Sequence, residues 1–476
     1  MSRPELLKGI RILDLSMGWA GPLATRHLAD MGAEIIKVES CQHTDWWRGW
    51  EATEEWVNSH GAEKAAAFNT MNRHKLDVTL DLSNEKGKAL CKRLVALSDA
   101  VIANYSGSVL GKLGLDYDDL KDVKDDIILM SMPAFGSTGP WRHYRAYGST
   151  IEQASGLPHL HGEPDWPPTM LHVAYGDPVA GLNAAAALLV ALRHKHRTGE
   201  GQYLDLSQSE CLFPLAVHGI LEQATSGKAP VREGNARVGA APHGTYPCAG
   251  EDNWITIQIE DETAWQQLCK MVSTLPQTFD SLERRRSARL ELDEHLAAWT
   301  RQFDKETLMK RLQAEGIAAA AVNGANELIN EPHLEARGCW PLLTRAHVGV
   351  MPHPVPPWRE GSDPYDIDVP APTLGEHNAT VLTGLLGLTA SELAELEAEH
   401  VIGDRTSDFA KRPFYCTGCP FLTGNASRST AFRSIPSSVA MASAQTPCWD
   451  RGWASRKRRL PASNMAGTLG SAVADV

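Results

Sequence analysis

Residues 9–40 read GIRILDLSMGWAGPLATRHLADMGAEIIKVES. Two apolar runs rich in β-branched residues, GIRILDLS (9–16) and AEIIKVES (33–40), bracket the amphipathic stretch LATRHLADMG (23–32). Strand, helix, strand is the order this spells. The pattern repeats outward. LDVTLDLS (76–83), SDAVIANY (98–105), DIILMSMP (126–133) and QYLDLS (202–207) each read as a strand. In NEKGKALCKRLVALS (84–98), Leu90, Leu94 and Leu97 follow helical spacing. Alternating strands and helices predict an α/β fold with a mostly parallel sheet covered on both faces. Ligands of such sheets sit beyond the C-terminal strand ends. The loops expected there are SMGWAGP (16–22), ESCQHTDWWRGW (39–50), NYSGS (104–108) and PAFGSTGPW (133–141).

The chain has 476 residues, 43% hydrophobic and 22% charged, as a large globular protein does. Its net charge of -12 argues against nucleic-acid binding by the folded body. The apolar run 184–192 is too short to span a bilayer. The opening MSRPELLKGIRILDLS has no apolar signal region, so no membrane partner and a cytoplasmic location are expected. Scattered single cysteines suit a reducing compartment. Cys416 and Cys419 make the one C-x-x-C, half of a zinc site at best, and no metal is expected.

The texture changes along the chain. Residues 1–225 form the first part of a large domain. Residues 226–320, with WITIQIEDETAW (254–265), LDEHLAAW (292–299) and KETLMKRLQAEG (305–316), read as a smaller α+β domain. IAAAAVNGANELI (317–329) reads as the start of a return to the large domain, which occupies 321–404 and ends with the helix TASELAELEAEHV (389–401). Residues 405–476 carry ten Lys/Arg against three Asp and no Glu, a basic composition that reads as a disordered tail.

AYGDPVAGLN (174–183) poses a chemical question. Asp177 stands between a glycine and a proline at the start of an Ala-rich helix. A carboxylate is costly to bury unless its charge is held or used. Asp177 is either a helix N-cap or a reactive group delivered by a rigid element. Gly176 permits close backbone approach, and Pro178 suits a first helical turn. The helix start is expected to keep Asp177 ionised.

Six stretches in order carry a family resemblance. They are residues 9–39, FNTMNRHKLDVTLDLS (68–83), SDAVIANYSGSVLGKLGLDY (98–117), SMPAFGSTGPW (131–141), YGDPVAG (175–181) and RTGEGQYLDLSQSE (197–210). Together they resemble the class III CoA-transferases (CaiB/BaiF type), which include formyl-CoA transferase and carnitine CoA-transferase. The resemblance runs from Leu7 to about Gly403. It implies a Rossmann-like large domain, a small domain and a homodimer of interlocked ring-shaped chains. It implies Asp177 as nucleophile, a CoA thioester as co-substrate, a free carboxylic acid as second substrate, and no tightly bound cofactor.

The resemblance also implies CoA contacts. Trp19 and Ala20 are expected to line the pantetheine path. Leu80, Asp81, Leu82 and Ser83 are expected at the nucleotide, with Asn104, Tyr105 and Ser106. Lys112 suits a phosphate, and Tyr144, Arg145, Ala146 and Tyr147 match another CoA-contacting segment. Ser40 falls at a contact position where formyl-CoA transferase has arginine, and SGS (106–108) replaces a frequent Arg-Pro-Gly. Arg48, Arg73 and Lys75 either compensate or are solvated surface charges. RHKHRTG (193–199) reads as structural. His243 and Gly244 either approach the acyl group or serve structure. Trp46, Trp47 and Trp50 either wall an acyl site or fill a core.

Two rival functions share these residues. An α-methylacyl-CoA racemase of the same fold needs a base on each face of an α-carbon. Tyr147 stands where its histidine is expected, which argues against it. A noncatalytic subunit of a heteromeric transferase has no need of Asp177. The expected acceptor is a mid-sized (di)carboxylic acid.

Overall fold

The structure is a computed structural model that describes residues 5–49, 53–171 and 173–406. Trp50, the C-x-x-C cysteines and nearly all of the basic tail lie outside the described residues. The six sequence-read strands all form. They are β1 (Arg11–Asp14), β2 (Glu34–Glu39), β3 (Lys75–Thr79), β4 (Ala100–Ala103), β5 (Ile128–Ser131) and β6 (Gln202–Asp205). They join one sheet in the order β3-β2-β1-β4-β5-β6, with every pairing parallel. In register, Leu13 lies between Ile36 and Val101. This is the strand order of a doubly wound nucleotide-binding sheet, whose chain reverses direction between β1 and β4.

The helices that matter for the site are α1 (Ala20–Asp30), α2 (Glu85–Ala96), α3 (Tyr117–Val123), α4 (Gly148–Ala154) and α5 (Gly176–Thr198). Helices α1 and α5 cover one face of the sheet. Ala24, Leu28, Ala180, Ala184 and Leu188 pack there on Ile12, Ile35, Ile102 and Met130. Each such fully buried leucine stabilises the fold by about 1.5–3 kcal/mol. Small residues let the two helices meet closely: a Cβ on Gly181 would stand 2.6 Å from the Ala20 carbonyl oxygen. The other face buries Leu90, Leu94 and Leu120 from α2 and α3. Leu97, read from spacing as part of that face, is instead exposed beyond the last turn, and Cys91 and Val95 take the inner positions.

A second sheet is antiparallel: β7 (His243–Pro247), β8 (Trp254–Gln258) and β9 (Ala318–Val322). Tyr246, Ile255, Ile257, Trp265, Leu268, Leu296 and Leu308 form its core. The IAAAAVNGANELI stretch therefore does not begin the return to the first sheet. It supplies the third strand of the second, and a boundary at 320/321 falls inside that strand. Two of its alanines pair with Thr256 and Ile257, so backbone bonding rather than an apolar pattern places it. Both sheets belong to one compact unit, Met1–Phe409.

The chain comes back to the first sheet further on, through buried polar groups. Glu63 accepts from the Leu374 N–H at 3.1 Å and pairs with Arg345 at 2.7 Å. The Asn378 Oδ1 accepts from the Thr79 N–H at 2.8 Å. Val381, Leu382 and Leu396 then complete the core on the α2 face.

Arg48, Arg73 and Lys75 are neither solvated nor open to a phosphate. All three are buried. Arg48 pairs with Glu39 and Glu63, each at 2.9 Å, and lies 3.6 Å above the Phe68 ring. Arg73 pairs with Asp30 at 2.7 Å. Lys75 reaches Asp14 at 3.0 Å and Asn72 at 2.8 Å. Buried cations persist only when paired and hydrogen-bonded, and each of these has its partners. Among the described residues no helix is long and apolar enough to cross a membrane.

Candidate active site

Helix α5 begins at Gly176 with Tyr175 at its N-cap position and no side-chain cap. Asp177 is in the first turn, so it is not the cap of its own helix. Its carboxylate turns to other elements: Oδ2 lies against Gly148, and the backbone N–H groups of Gly148 and Ala20 favour its ionised form. Gly148 is the first residue of α4 and Ala20 the first of α1. First-turn N–H groups have no partner within their own helix. Tyr147 and Trp19 hold the N-cap positions of α4 and α1, and neither makes a side-chain cap.

The approach requires a glycine at 148. A Cβ there would stand 1.9 Å from Asp177 Oδ2. Gly176 is needed for the same contact, since its Cβ would meet the Gly148 carbonyl oxygen at 3.0 Å. Burial pushes the Asp177 carboxyl up to about 6, and the Gly148 and Ala20 N–H groups offset part of that rise. The sequence expectation was a carboxylate held fully ionised by its helix. Desolvation outweighs the donors, and the group is still mostly ionised at neutral pH.

Aromatic rings stand beside the residues that hold Asp177. Trp19 packs on Trp47 with ring centroids 5.3 Å apart, and Trp47 meets Trp46 edge-on at 5.7 Å. Trp46 in turn meets Tyr147 at 5.8 Å. Tyr147 is 58% exposed. Gly18, at φ +74, has no room for a side chain, because Trp46 lies against it. Buried Asp45 fixes this turn. Its Oδ1 accepts from the Gly18 and Trp47 N–H groups, both at 2.9 Å, and its Oδ2 pairs with Lys37 at 2.9 Å. Asp45 and Gly148 escaped the sequence reading. An Asp ahead of a Trp pair was a visible cap signal. Nothing local marked Gly148.

The remaining sequence candidates follow the C-terminal ends of strands. Ser40 is buried after β2, and its Oγ accepts from the His43 N–H at 2.8 Å. Leu80 is fully buried after β3. Asp81 accepts from the Ser83 N–H and Oγ, Leu82 packs on the core, and Ser83 is exposed. Asn104 follows β4 and spends its amide on Met17: Oδ1 accepts from the Met17 N–H at 2.9 Å and Nδ2 donates to its carbonyl at 2.7 Å. That clamp sits at the reversal between β1 and β4. Tyr105 packs against the core, and burial raises its hydroxyl pKa. Ser106 is half-buried, and its carbonyl accepts from the Val109 N–H. Lys112 is exposed. Tyr144 and Arg145 are exposed, and Ala146 packs against Ala134 and Ile151 and their neighbours.

Two further candidates lie on other segments. His243 is on β7 with its ring bonded to the Asn235 carbonyl. RHKHRTG is at the far end of α5, where Lys195 pairs with Asp126 at 3.1 Å and Asp99 at 3.4 Å. At 1.5 Å per residue the length of that helix puts it roughly 30 Å from Asp177. Among the described residues no group of three His, Cys, Asp or Glu could hold a metal.

Comparison with known proteins gives a consistent result. The profile of CoA-transferase family III matches residues 7–378. Succinyl-CoA–D-citramalate CoA-transferase of Chloroflexus aurantiacus is 33% identical over 84% of this chain and 98% of its own length. Succinate–glutarate CoA-transferase of Agrobacterium fabrum is 30% identical over 81% of this chain and 96% of its own. The crystal structure of a CaiB/BaiF family protein from Brucella suis superposes with a TM-score of 0.72 at 30% identity. It covers 81% of this chain and 100% of that one.

Proposed function

The chain belongs to CoA-transferase family III and is a CoA-transferase, and from that premise we propose that it moves CoA from an acyl-CoA to a dicarboxylic acid through covalent chemistry on Asp177. The observation that carries this reading is the half-buried Asp177 carboxylate, set closely against Gly148 at the C-terminal end of the parallel sheet.

One Asp177 oxygen attacks the donor thioester carbonyl. A C–O bond forms, the C–S bond breaks, and CoA leaves as thiolate. The product is a mixed anhydride. The thiolate attacks Asp177 Cγ, the anhydride C–O bond breaks, and the donor acid leaves as carboxylate. The resulting aspartyl-CoA thioester reacts with the acceptor by the same two steps in reverse. No net proton transfer is needed, so the site requires no separate acid or base. Water must be kept out, because it would hydrolyse either intermediate.

The names of the relatives support succinyl-CoA as donor and a dicarboxylic acid as acceptor. The Trp19, Trp46, Trp47 and Tyr147 rings support an acceptor with some apolar bulk. In this reading CoA lies along Trp19–Ala20, Ser40, Leu80–Ser83, Asn104–Ser106, Lys112 and Tyr144–Tyr147. The reading also includes a cytoplasmic homodimer of interlocked chains. Exposed Leu182, Val190, Ile220 and Leu221 are compatible with a second copy covering them.

The test is a panel of acids, from formate and oxalate through glutarate to benzylsuccinate, scored by kcat/KM with succinyl-CoA. The expected optimum is a mid-sized dicarboxylic acid. A strong preference for formate or oxalate would overturn the assignment.

A further inference from the structure

We propose that Glu152 is a positioning residue for the transfer: its buried carboxylate clamps the segment that enters α5 and so sets where Asp177 stands. This rests on Asp177 being the nucleophile and adds a side chain from another helix that the nucleophile reading does not contain.

Glu152 is fully buried on α4. A carboxylate is costly there unless its oxygens are used. Both are. Oε1 accepts from the Leu171 N–H, and Oε2 accepts from the Tyr175 N–H at 3.2 Å. Neither donor belongs to α4. Tyr175 holds the N-cap position of α5, just ahead of Gly176 and Asp177.

Between the two clamped amides lies Ala174, at φ +49. That left-handed conformation is uncommon for a residue with a Cβ and persists where the surroundings impose it. The Ala174 carbonyl then accepts from the Asp177 N–H at 3.1 Å. The clamp therefore reaches Asp177 through one strained residue and one hydrogen bond. Helix α4 carries the rest of the seat. Gly148, Ile151 and Glu152 stand at helical spacing on one of its faces. Asp177 Oδ2 lies against Gly148, and a Cβ on Gly176 would meet Ile151 Cγ2 at 3.0 Å. One helix thus fixes the carboxylate at its first residue and, one turn on, the backbone that delivers it. The side chain must be an acid for this. Glutamine offers one acceptor oxygen where glutamate offers two, and its NH2 would face an N–H.

The experiment is Glu152→Gln, read by rapid-quench mass spectrometry after mixing with succinyl-CoA. The burst amplitude counts the chains that can load CoA on Asp177. The burst rate reports how well each one is placed. The expected result is a rate per loaded chain lowered about 10- to 100-fold, the scale of an ångström of misplacement, with CoA binding by titration calorimetry unchanged. Adding Ala174→Gly to that variant should recover part of the rate, because glycine takes positive φ without a clamp. A merely structural Glu152 would lower the amplitude and the melting temperature and leave the rate. That outcome, a parental rate, or a double variant no faster than Glu152→Gln overturns the proposal. Hydrogen exchange resolved to single amides needs no variant. In the parent, the Leu171 and Tyr175 amides are expected to be protected, and fast exchange at both would also overturn the clamp. Any of these failures beside an inactive Asp177→Ala rejects the role of Glu152 alone, whereas an Asp177→Ala variant that still transfers CoA rejects the nucleophile itself.

Discussion

Asn104 spends both ends of its side-chain amide on one residue, accepting from the Met17 N–H and donating to the Met17 carbonyl. Met17 follows β1 and Asn104 follows β4, so the pair bridges the point where the strand order reverses. The sequence reading gave Asn104 a CoA contact. Its geometry adds a second role, holding the loop that leads to Trp19 and Ala20. Asn104→Ala breaks two hydrogen bonds of roughly 1 kcal/mol each. It is expected to lower kcat as well as raise the KM for succinyl-CoA, because Ala20 is displaced from Asp177. A purely nucleotide-contacting Asn104 would change KM alone. Steady-state kinetics of the variant separate the two.

Arg48 sits among Glu39, Glu63 and Asp77, and all four are buried. Burial pushes Glu39 up, but Arg48 and Lys37 more than offset this and hold it at about 2. Burial and the nearby Glu39 carboxylate raise Asp77 well above the usual range. Arg48→Met leaves buried carboxylates without their cation and is expected to cost about 3–5 kcal/mol. The deficit should be largest at neutral pH and shrink as acid protonates the carboxylates. Glu39 gives the sign: with its folded pKa depressed from 4.5, its contribution is present above about 4.5 and lost as pH falls toward about 2. Denaturant titrations of both proteins at pH 7 and pH 3 check this.

Asp177 carries the opposite sign. Its folded pKa of about 6 is raised above 3.8, chiefly by burial. The stability it contributes is fully present below pH 3.8 and lost as pH rises through about 6. Asp177→Asn should therefore be more stable than the parent at pH 7, on the order of 2 kcal/mol, while losing transferase activity. Activity follows the ionised form, so kcat/KM of the parent is expected to rise through a midpoint near 6 and level off above it. Thermal unfolding of the variant and a pH profile of the parent are the measurements.

The aromatic wall predicts selectivity. Trp47 contacts both Trp19 and Trp46. Trp47→Ala is expected to lower kcat/KM for an aryl- or alkyl-substituted succinate by about tenfold more than for succinate itself, the scale of one or two buried methylenes. Equal losses for both acids would mean that the rings serve only to hold the loop.

All six parallel strands were legible because short β-branched runs between turn residues leave few alternatives. Their order was not, since periodicity carries no information on which strands are neighbours. AAAAV misled because an alanine run has no alternation to show which sheet it joins. Arg48, Arg73 and Lys75 misled for another reason. Charged residues are usually solvated, and the carboxylates that bury Arg73 and Lys75 come from Asp30 on α1 and Asp14 on β1. Asp177 was legible as a residue with two readings. What surrounds it was not, because its partners are backbone N–H groups, which every sequence has at every non-proline position.

The central claim is that CoA passes through a covalent bond to Asp177. Its most direct test is to incubate the chain with succinyl-CoA, quench with hydroxylamine, and sequence the peptide spanning 174–183 by mass spectrometry. The account predicts a hydroxamate on Asp177 that is absent without the acyl-CoA and absent from Asp177→Ala, which should transfer no CoA. An unmodified Asp177 in a chain that is turning over, or an Asp177→Ala variant with parental activity, would contradict it.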